Sequence, residues 1–189
     1  MTRIAINFFS EFNSHSVGEL LAILHTKIPP TGPCDILLVI GSSGGNNDWS
    51  RVAHGSLTTL RREVMLTTVA LGTTKSAAAT VFCAGQRRIS IRTTVFLLHL
   101  ACADAKQIDH LRANQLHFDL LADDLSHAIA IAHASSKTKE DVLNAMRCST
   151  VLIAEDAKSF GLVHEILTDS NALYDGREVF PIIGIQAPK

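Results

Sequence analysis

The sequence predicts an α/β protein built on a parallel sheet. Short β-branched and aliphatic runs alternate with helix-like segments along the 189 residues. Residues 35–40 place five consecutive aliphatic side chains after an aspartate, a pattern typical of a parallel strand covered on both faces. Turn glycines follow the carboxyl ends of the strands, which is where such sheets place their sites. We therefore expect right-handed crossovers between parallel strands.

The first half of the chain alternates between the two-residue periodicity of strands and the 3.6-residue periodicity of helices. Strands are predicted at residues 4–9, 35–40 and 64–71, and helices at residues 16–24 and 49–63. Ser14 or Ser16 is the predicted N-cap of the first helix. Gly72 is predicted to end the third strand in a turn, which leads through Ser76 into an alanine-rich helix that stops at Gly85.

The second half predicts a strand at residues 94–98, helices at 106–134, 136–146 and 154–159, and a strand at 161–167. The long helix carries an apolar stripe at helical spacing that we expect to be buried, against either its own core or another subunit. Its members are Ile108, Leu111, Phe118, Leu121, Leu125, Ile129 and Ala132. We predict a single domain over residues 1–189, with its core at residues 4–167 and an irregular tail at residues 168–189.

Composition excludes several classes of function. A hydrophobic fraction of 47% and a net charge of −1 indicate an ordinary globular protein without the basic excess of a nucleic-acid binder. No uncharged stretch reaches the roughly 18 residues of a spanning helix, and the N-terminus lacks the apolar core of a signal peptide. We expect a cytoplasmic location, no membrane partner, no nucleic acid and neither a metal nor a cofactor. The four scattered cysteines are predicted to be buried free thiols: Cys34, Cys83, Cys102 and Cys148.

A hydroxyl, an imidazole and two backbone donors are candidates for one site. Ser76 begins a helix, where it is either a nucleophile or only an N-cap. His99 ends a strand, where it is either a general base or a hydrogen-bonded core histidine. Gly44 and Gly45 follow another strand, and the N–H groups of Gly45 and Ala77 form a candidate oxyanion hole.

The other candidate groups carry weaker signals. Lys75 next to Ser76 suggests a serine–lysine dyad, but adjacent helical side chains point about 100° apart, so we discount it. Five further histidines lie on predicted helices and are interpreted as surface or interface groups: His54, His110, His117, His127 and His133.

The motifs resemble those of one known family. The loop Ile40-Gly-Ser-Ser-Gly-Gly45 is similar to a Ser-Pro-Gly-Gly loop, and residues 72–85 are similar to a Gly-x-Ala-Ala-Ser-Met-Ala segment. His99 follows a strand, and residues 154–163 are similar to an Ala-Pro-Glu-Ala-x-x-Tyr-Gly-Leu-Val signature. In this order, the set resembles the proteolytic subunit of the Clp protease, a serine peptidase of the ClpP/crotonase superfamily.

This resemblance implies a ClpP/crotonase-like fold with repeated β-β-α units, a parallel sheet and a long late helix. It implies Ser76 as nucleophile, His99 as base, and the N–H groups of Gly45 and Ala77 as oxyanion hole. It also implies a peptide or unfolded-protein substrate and self-association into rings. Met1 lies almost at the first strand, so the family's N-terminal segment is not expected, and partnership with an ATPase unfoldase stays open.

The third member of the family's catalytic triad differs. Alignment on Gly161 places Ser149 where the family has an aspartate. A serine accepts a hydrogen bond but supplies no charge to an imidazolium, so we expect reduced activity unless Asp156 or Glu155 takes the role.

Two alternative functions stay open at this point. One is a catalytically inactive structural or regulatory subunit of a ClpP-like ring. The other is a crotonase-type acyl-CoA enzyme, in which two backbone N–H groups hold a thioester enolate. For the second, Arg61-Arg62 and Arg87-Arg88 are the candidate phosphate-binding pairs.

Overall fold

A computed structural model describes residues 1–103, 105–169 and 171–184. The strands are β1 (Thr2–Phe9), β2 (Cys34–Ser42), β3 (Val64–Lys75), β4 (Arg87–Ile91), β5 (Val95–Leu98), β6 (Thr150–Ile153), β7 (Glu165–Leu167) and β8 (Glu178–Ile183). The helices are α1 (Ser14–Lys27), α2 (Asn47–Thr58), α3 (Ala77–Phe82), α4 (His110–Ala134), α5 (Lys139–Arg147) and α6 (Ala154–Phe160), with a 3₁₀ turn at Asn171–Tyr174.

The strands form one sheet in the order β6-β5-β3-β2-β1-β8, with β4 paired to β3 and β7. Every pairing is parallel except that of β5 with β6. The predicted α/β class with a mostly parallel sheet is confirmed. The sequence analysis did not predict β4 and β6, which have five and four residues.

Strand β3 continues past the predicted turn at Gly72 and ends at Lys75. Residues 67–70 pair with β4, whereas residues 73–75 pair with β5. Gly72 has φ +72° and lies between the two sets of pairs, so it is where β3 changes neighbours. The predicted turn was wrong, and the continuation carries the chain to Ser76 beside β5.

The predicted irregular tail contains a strand. Glu178–Ile183 pairs in parallel with β1, and Pro181 lies opposite Asn7. Proline is tolerated there because β8 is an edge strand. The Arg177 side chain fixes this segment by donating to the Asp35 carboxylate at 2.7 Å and to the Asp35 carbonyl at 3.0 Å.

Two local predictions need correction. The N-cap of α1 is Asn13, whose side chain accepts from the N–H groups of His15 and Ser16. Neither Ser14 nor Ser16 is the cap, but Ser16 closes a capping box by accepting from the Asn13 N–H. All four cysteines are free thiols, as predicted, but only Cys34 and Cys83 are buried.

The apolar stripe of α4 faces outward. Leu111 is 79% exposed and Phe118 64% exposed, and Ile108, Leu121, Leu125 and Ile129 are also exposed. The face that packs inward carries Asp124, His127, Ala128 and Ile131 instead. Of the two alternatives, packing of the stripe against the chain's own core is wrong, and packing against another subunit stays a prediction. Within the described ranges, no helix is both long enough and apolar enough to span a membrane.

Candidate active site

Ser76 connects β3 to α3 in a strained backbone conformation. Its φ is +54° and its ψ is −129°, a combination that non-glycine residues adopt only when the surrounding structure imposes it. The Ser76 side chain makes no capping hydrogen bond to α3. Its half-buried hydroxyl is therefore not used as an N-cap, which was the alternative to a nucleophile.

The glycine loop after β2 packs directly against Ser76. A Cβ built on Gly44 would lie 2.8 Å from the Ser76 Cβ and 3.1 Å from the Lys75 carbonyl oxygen. The loop is held in place because the Gly44 N–H donates to the Ser42 hydroxyl at 3.1 Å, and the Gly44 carbonyl accepts from the Phe12 N–H at 2.8 Å. Any side chain at position 44 would clash with Ser76, so only glycine fits there.

Two backbone donors beside Ser76 lack partners. Gly45 forms a parallel bridge with Phe12, and its flanking residues make the bridge's hydrogen bonds: the Gly44 carbonyl accepts, and the Asn46 N–H donates. Ala77 is the first residue of α3, where an N–H has no intrahelical acceptor. Within the described part of the chain, no hydrogen bond uses the N–H of Gly45 or Ala77.

His99 follows directly after β5, next to the chain that carries Ser76. Lys75 pairs with Leu97, and the Ser76 N–H donates to the Leu97 carbonyl at 2.9 Å. The Nδ1 of His99 lies 2.7 Å from the Leu100 carbonyl oxygen. Because a carbonyl only accepts, Nδ1 carries the proton in this contact, and Nε2 is left with a lone pair.

Ser76 and His99 are thus brought together by neighbouring strand ends. Within the described residues, no hydrogen bond joins their side chains. Catalytic hydrogen bonds are often long without substrate and tighten when it binds, so this geometry is compatible with a nucleophile and its base.

Ser149 lies just before β6, opposite the end of β5. Leu98 pairs with Thr150 in the antiparallel register, and one further step places Ser149 across from His99. Ser149 is exposed and has φ +48°. Of the two acids proposed to replace the missing aspartate, Glu155 is bound to Arg92 at 2.8 Å, and Asp156 lies exposed in the first turn of α6.

A carboxylate that the sequence analysis did not consider contacts the segment that follows His99. Asp124 on α4 is only 8% exposed, and its Oδ1 accepts from the Ala101 N–H at 2.6 Å. Burial raises the pKa of Asp124, while the Ala101 hydrogen bond and the charge of His99 lower it. The one signal in the sequence was its spacing from Ala128 and Ile131, which places it on their face of α4.

A comparison of the amino-acid sequence with family models shows which family the chain belongs to. Residues 5–170 match the sequence model of the Clp protease family. The chain belongs to the Clp protease family. An asparagine-to-aspartate mutant of ClpP1 from Listeria monocytogenes has a similar solved structure, with a TM-score of 0.78 and 18% identity over 89% of this chain and 94% of that one. A comparison with curated protein sequences finds no match.

Membership of the Clp protease family confirms the resemblance drawn from the motifs, and the structural similarity confirms the ClpP-like fold. The individual roles of Ser76, His99, Gly45, Ala77 and Ser149 stay predictions. Within residues 1–103, 105–169 and 171–184, no three metal-ligating side chains are grouped closely enough to hold a metal ion.

The sequence analysis of this Clp protease family member assigned one histidine to the wrong environment. His127, interpreted as a surface or interface group, is 4% exposed, and within the described residues its Nε2 has no hydrogen-bond partner. Burial lowers the pKa of His127 to about 4, with Asp123 opposing the shift and Arg51 adding to it. His127 is therefore a neutral core residue near pH 7.

Proposed function

We propose that this chain is a serine peptidase that hydrolyses peptide bonds through Ser76 and His99, with activity reduced by the replacement of the triad aspartate. The observation that carries the proposal is the strained conformation of Ser76, which leaves its hydroxyl without a capping bond. Within the described residues, the nearby N–H groups of Gly45 and Ala77 also have no acceptor. A strained serine between a strand and a helix is typical of an activated nucleophile.

The proposed reaction proceeds through an acyl-enzyme. The Ser76 Oγ attacks the peptide carbonyl carbon while the His99 Nε2 takes the hydroxyl proton. The N–H groups of Gly45 and Ala77 donate to the resulting oxyanion. The imidazolium then gives its proton to the leaving amine as the C–N bond breaks, and water releases the acyl group by the reverse sequence.

The Leu100 carbonyl explains why activity is expected at all without the usual aspartate. It holds His99 in the tautomer that a base needs, at an Nδ1–oxygen distance of 2.7 Å. A neutral carbonyl stabilises the imidazolium less than a carboxylate does, so we propose a slow enzyme and not an inert one.

Labelling with a fluorophosphonate tests the nucleophile. We expect wild type to take up one label per chain at Ser76, because the reagent phosphonylates a serine only where a base and an oxyanion hole are present. Ser76→Ala should take up none. The matched control is Ser43→Ala, which removes an exposed hydroxyl from the neighbouring loop and should label like wild type. Equal labelling of wild type and Ser76→Ala contradicts the proposal, as does an unlabelled wild type.

The acyl-CoA alternative has less support than the peptidase, because most of its candidate phosphate-binding arginines have partners within the chain. Arg61 donates to the Pro29 carbonyl at 2.7 Å, and Arg87 is paired with Glu165. Arg88 is buried and donates to the Leu162 carbonyl at 2.7 Å. These three side chains are engaged within the chain, so they do not form a free cluster for CoA phosphates.

We also propose that copies of this chain associate through α4. Leu111 and Phe118 are large apolar side chains that project from one helix into solvent, and such exposed rows mark protein interfaces. An assembly through this face that takes up no label at Ser76 would correspond to the alternative of an inactive ring subunit.

Charge placed on this face is expected to dissociate the assembly. Phe118→Glu should shift the mass measured by light scattering to smaller species, because a desolvated carboxylate opposes association. The control Asn144→Glu places the same charge at an exposed polar position on α5, away from this face, and should retain the wild-type mass. A monomeric wild type, or an unchanged mass for Phe118→Glu, contradicts this proposal.

A further inference from the structure

Asp124 is a buried carboxylate that contacts the segment following His99. Its Oδ1 accepts from the Ala101 N–H at 2.6 Å, two residues beyond His99. Hydrogen bonds from an N–H to a carboxylate are about twice as strong as those between neutral groups. This bond therefore fixes the backbone of residues 99–101 against α4.

The adjacent carboxylate is used elsewhere. Asp123 accepts from the Asn47 side-chain amide at 2.7 Å and is paired with Arg51 on α2. Two consecutive aspartates on α4 thus serve different elements: Asp123 binds α2, and Asp124 binds the segment after β5.

The charges that face Asp124 favour an interaction with His99. Besides the negative charge of Asp123, they are those of His99 and Arg147. Arg147 is already paired with Glu140 at 2.7 Å, whereas the His99 ring is hydrogen-bonded to the neutral Leu100 carbonyl. Asp124 and His99 attract each other, and the interaction is reciprocal: a cation that favours the carboxylate is itself favoured by it.

We propose that Asp124 is a positioning residue that replaces the missing triad aspartate: it fixes the segment that carries His99, and its charge stabilises the imidazolium formed when His99 accepts the Ser76 proton. The inference rests on the proposed peptidase function. The Leu100 carbonyl sets the tautomer, and Asp124 supplies the charge that neither Leu100 nor Ser149 can give. Its burial strengthens the effect, because charges interact more strongly in a low-dielectric environment.

The test uses the full chain with Asp124→Asn, which keeps an oxygen that accepts from Ala101 but removes the charge. We expect kcat for a peptide substrate to fall about tenfold with little change in KM. The acid limb of the pH–rate profile should move to lower pH. By NMR, the His99 ring titration should move in the same direction.

A matched control and a rescue separate charge from structure. Asp119→Asn removes the same charge from an exposed position on α4, where the side chain accepts only from Gln115, and should change neither readout. Adding Ser149→Asp to Asp124→Asn should restore kcat, because it returns a carboxylate to the other side of His99.

Three outcomes overturn the inference: an unchanged kcat in Asp124→Asn, a lower kcat with an unmoved His99 titration, or an equal effect from Asp119→Asn. If wild type neither cleaves peptide nor labels at Ser76, the peptidase proposal fails, but the NMR titration still decides whether Asp124 acts on His99. The two failures are therefore distinguishable.

Discussion

Replacing Ser149 with aspartate is expected to raise kcat for peptide hydrolysis by at least about tenfold, and by up to about 10⁴-fold, the loss seen when a related triad loses its aspartate function. Ser149 lies across from His99 in the β5–β6 register, so a carboxylate there would reach the imidazole from the strand side. The backbone suits the change because Ser149 has φ +48°, a region where aspartate is enriched. Steady-state kinetics with a short fluorogenic peptide measures the gain.

The gain is expected to depend on charge and on Ser76. Ser149→Asn has nearly the same shape as Ser149→Asp and the same tolerance of a positive φ, but it carries no charge, so its kcat should stay near that of wild type. The double variant Ser149→Asp with Ser76→Ala should be inactive. If Ser149→Asn activates as strongly as Ser149→Asp, the effect is not electrostatic, and the proposed reason for low activity is wrong.

The parts of the fold predicted from sequence are those with strong local signals. The aliphatic run of β2 could belong only to a covered strand, and it was found with bounds two residues or less from those observed. The end of β3 was missed because glycine commonly marks a turn. Gly72 instead allows β3 to leave β4 for β5, which depends on pairings between segments far apart in sequence.

In the candidate site, too, residues with a local sequence signal were proposed, whereas one that depends on a contact between distant segments was not. Ser76, His99 and the glycine loop follow strand ends and were proposed from their positions in the sequence, and their roles stay predictions. Asp124 could not be found in this way, because its partner is a backbone N–H on another element. For α4, the apolar stripe left open whether it packs against the core or another subunit. The helix packs inward through a face that includes Asp124 and His127, and the large apolar members of the stripe are exposed.

The inward face of α4 makes the stability of the fold sensitive to acid. His127 is buried in the neutral form with a pKa of about 4, against an unfolded value near 6.5. Because the folded pKa is the lower one, the unfolded chain binds the proton first, and stability falls as the pH drops from about 6.5 to about 4. At about 1.4 kcal/mol per unit, His127 alone should lower the free energy of unfolding by about 3 kcal/mol over this interval. Burial and His133 lower the pKa of His54, which acts in the same direction.

Urea unfolding at fixed protein concentration, between about pH 7 and about pH 4, measures this loss. His127→Gln removes the titrating group, so its free energy of unfolding should decline less steeply with falling pH, even if the variant is less stable at pH 7. His110→Gln changes an exposed histidine at the start of the same helix and should keep the wild-type slope. Parallel slopes for His127→Gln and wild type would show that His127 is not the residue whose protonation destabilises the fold. A flattened slope would instead locate the acid sensitivity at the buried face of α4, beside the residues proposed to support His99.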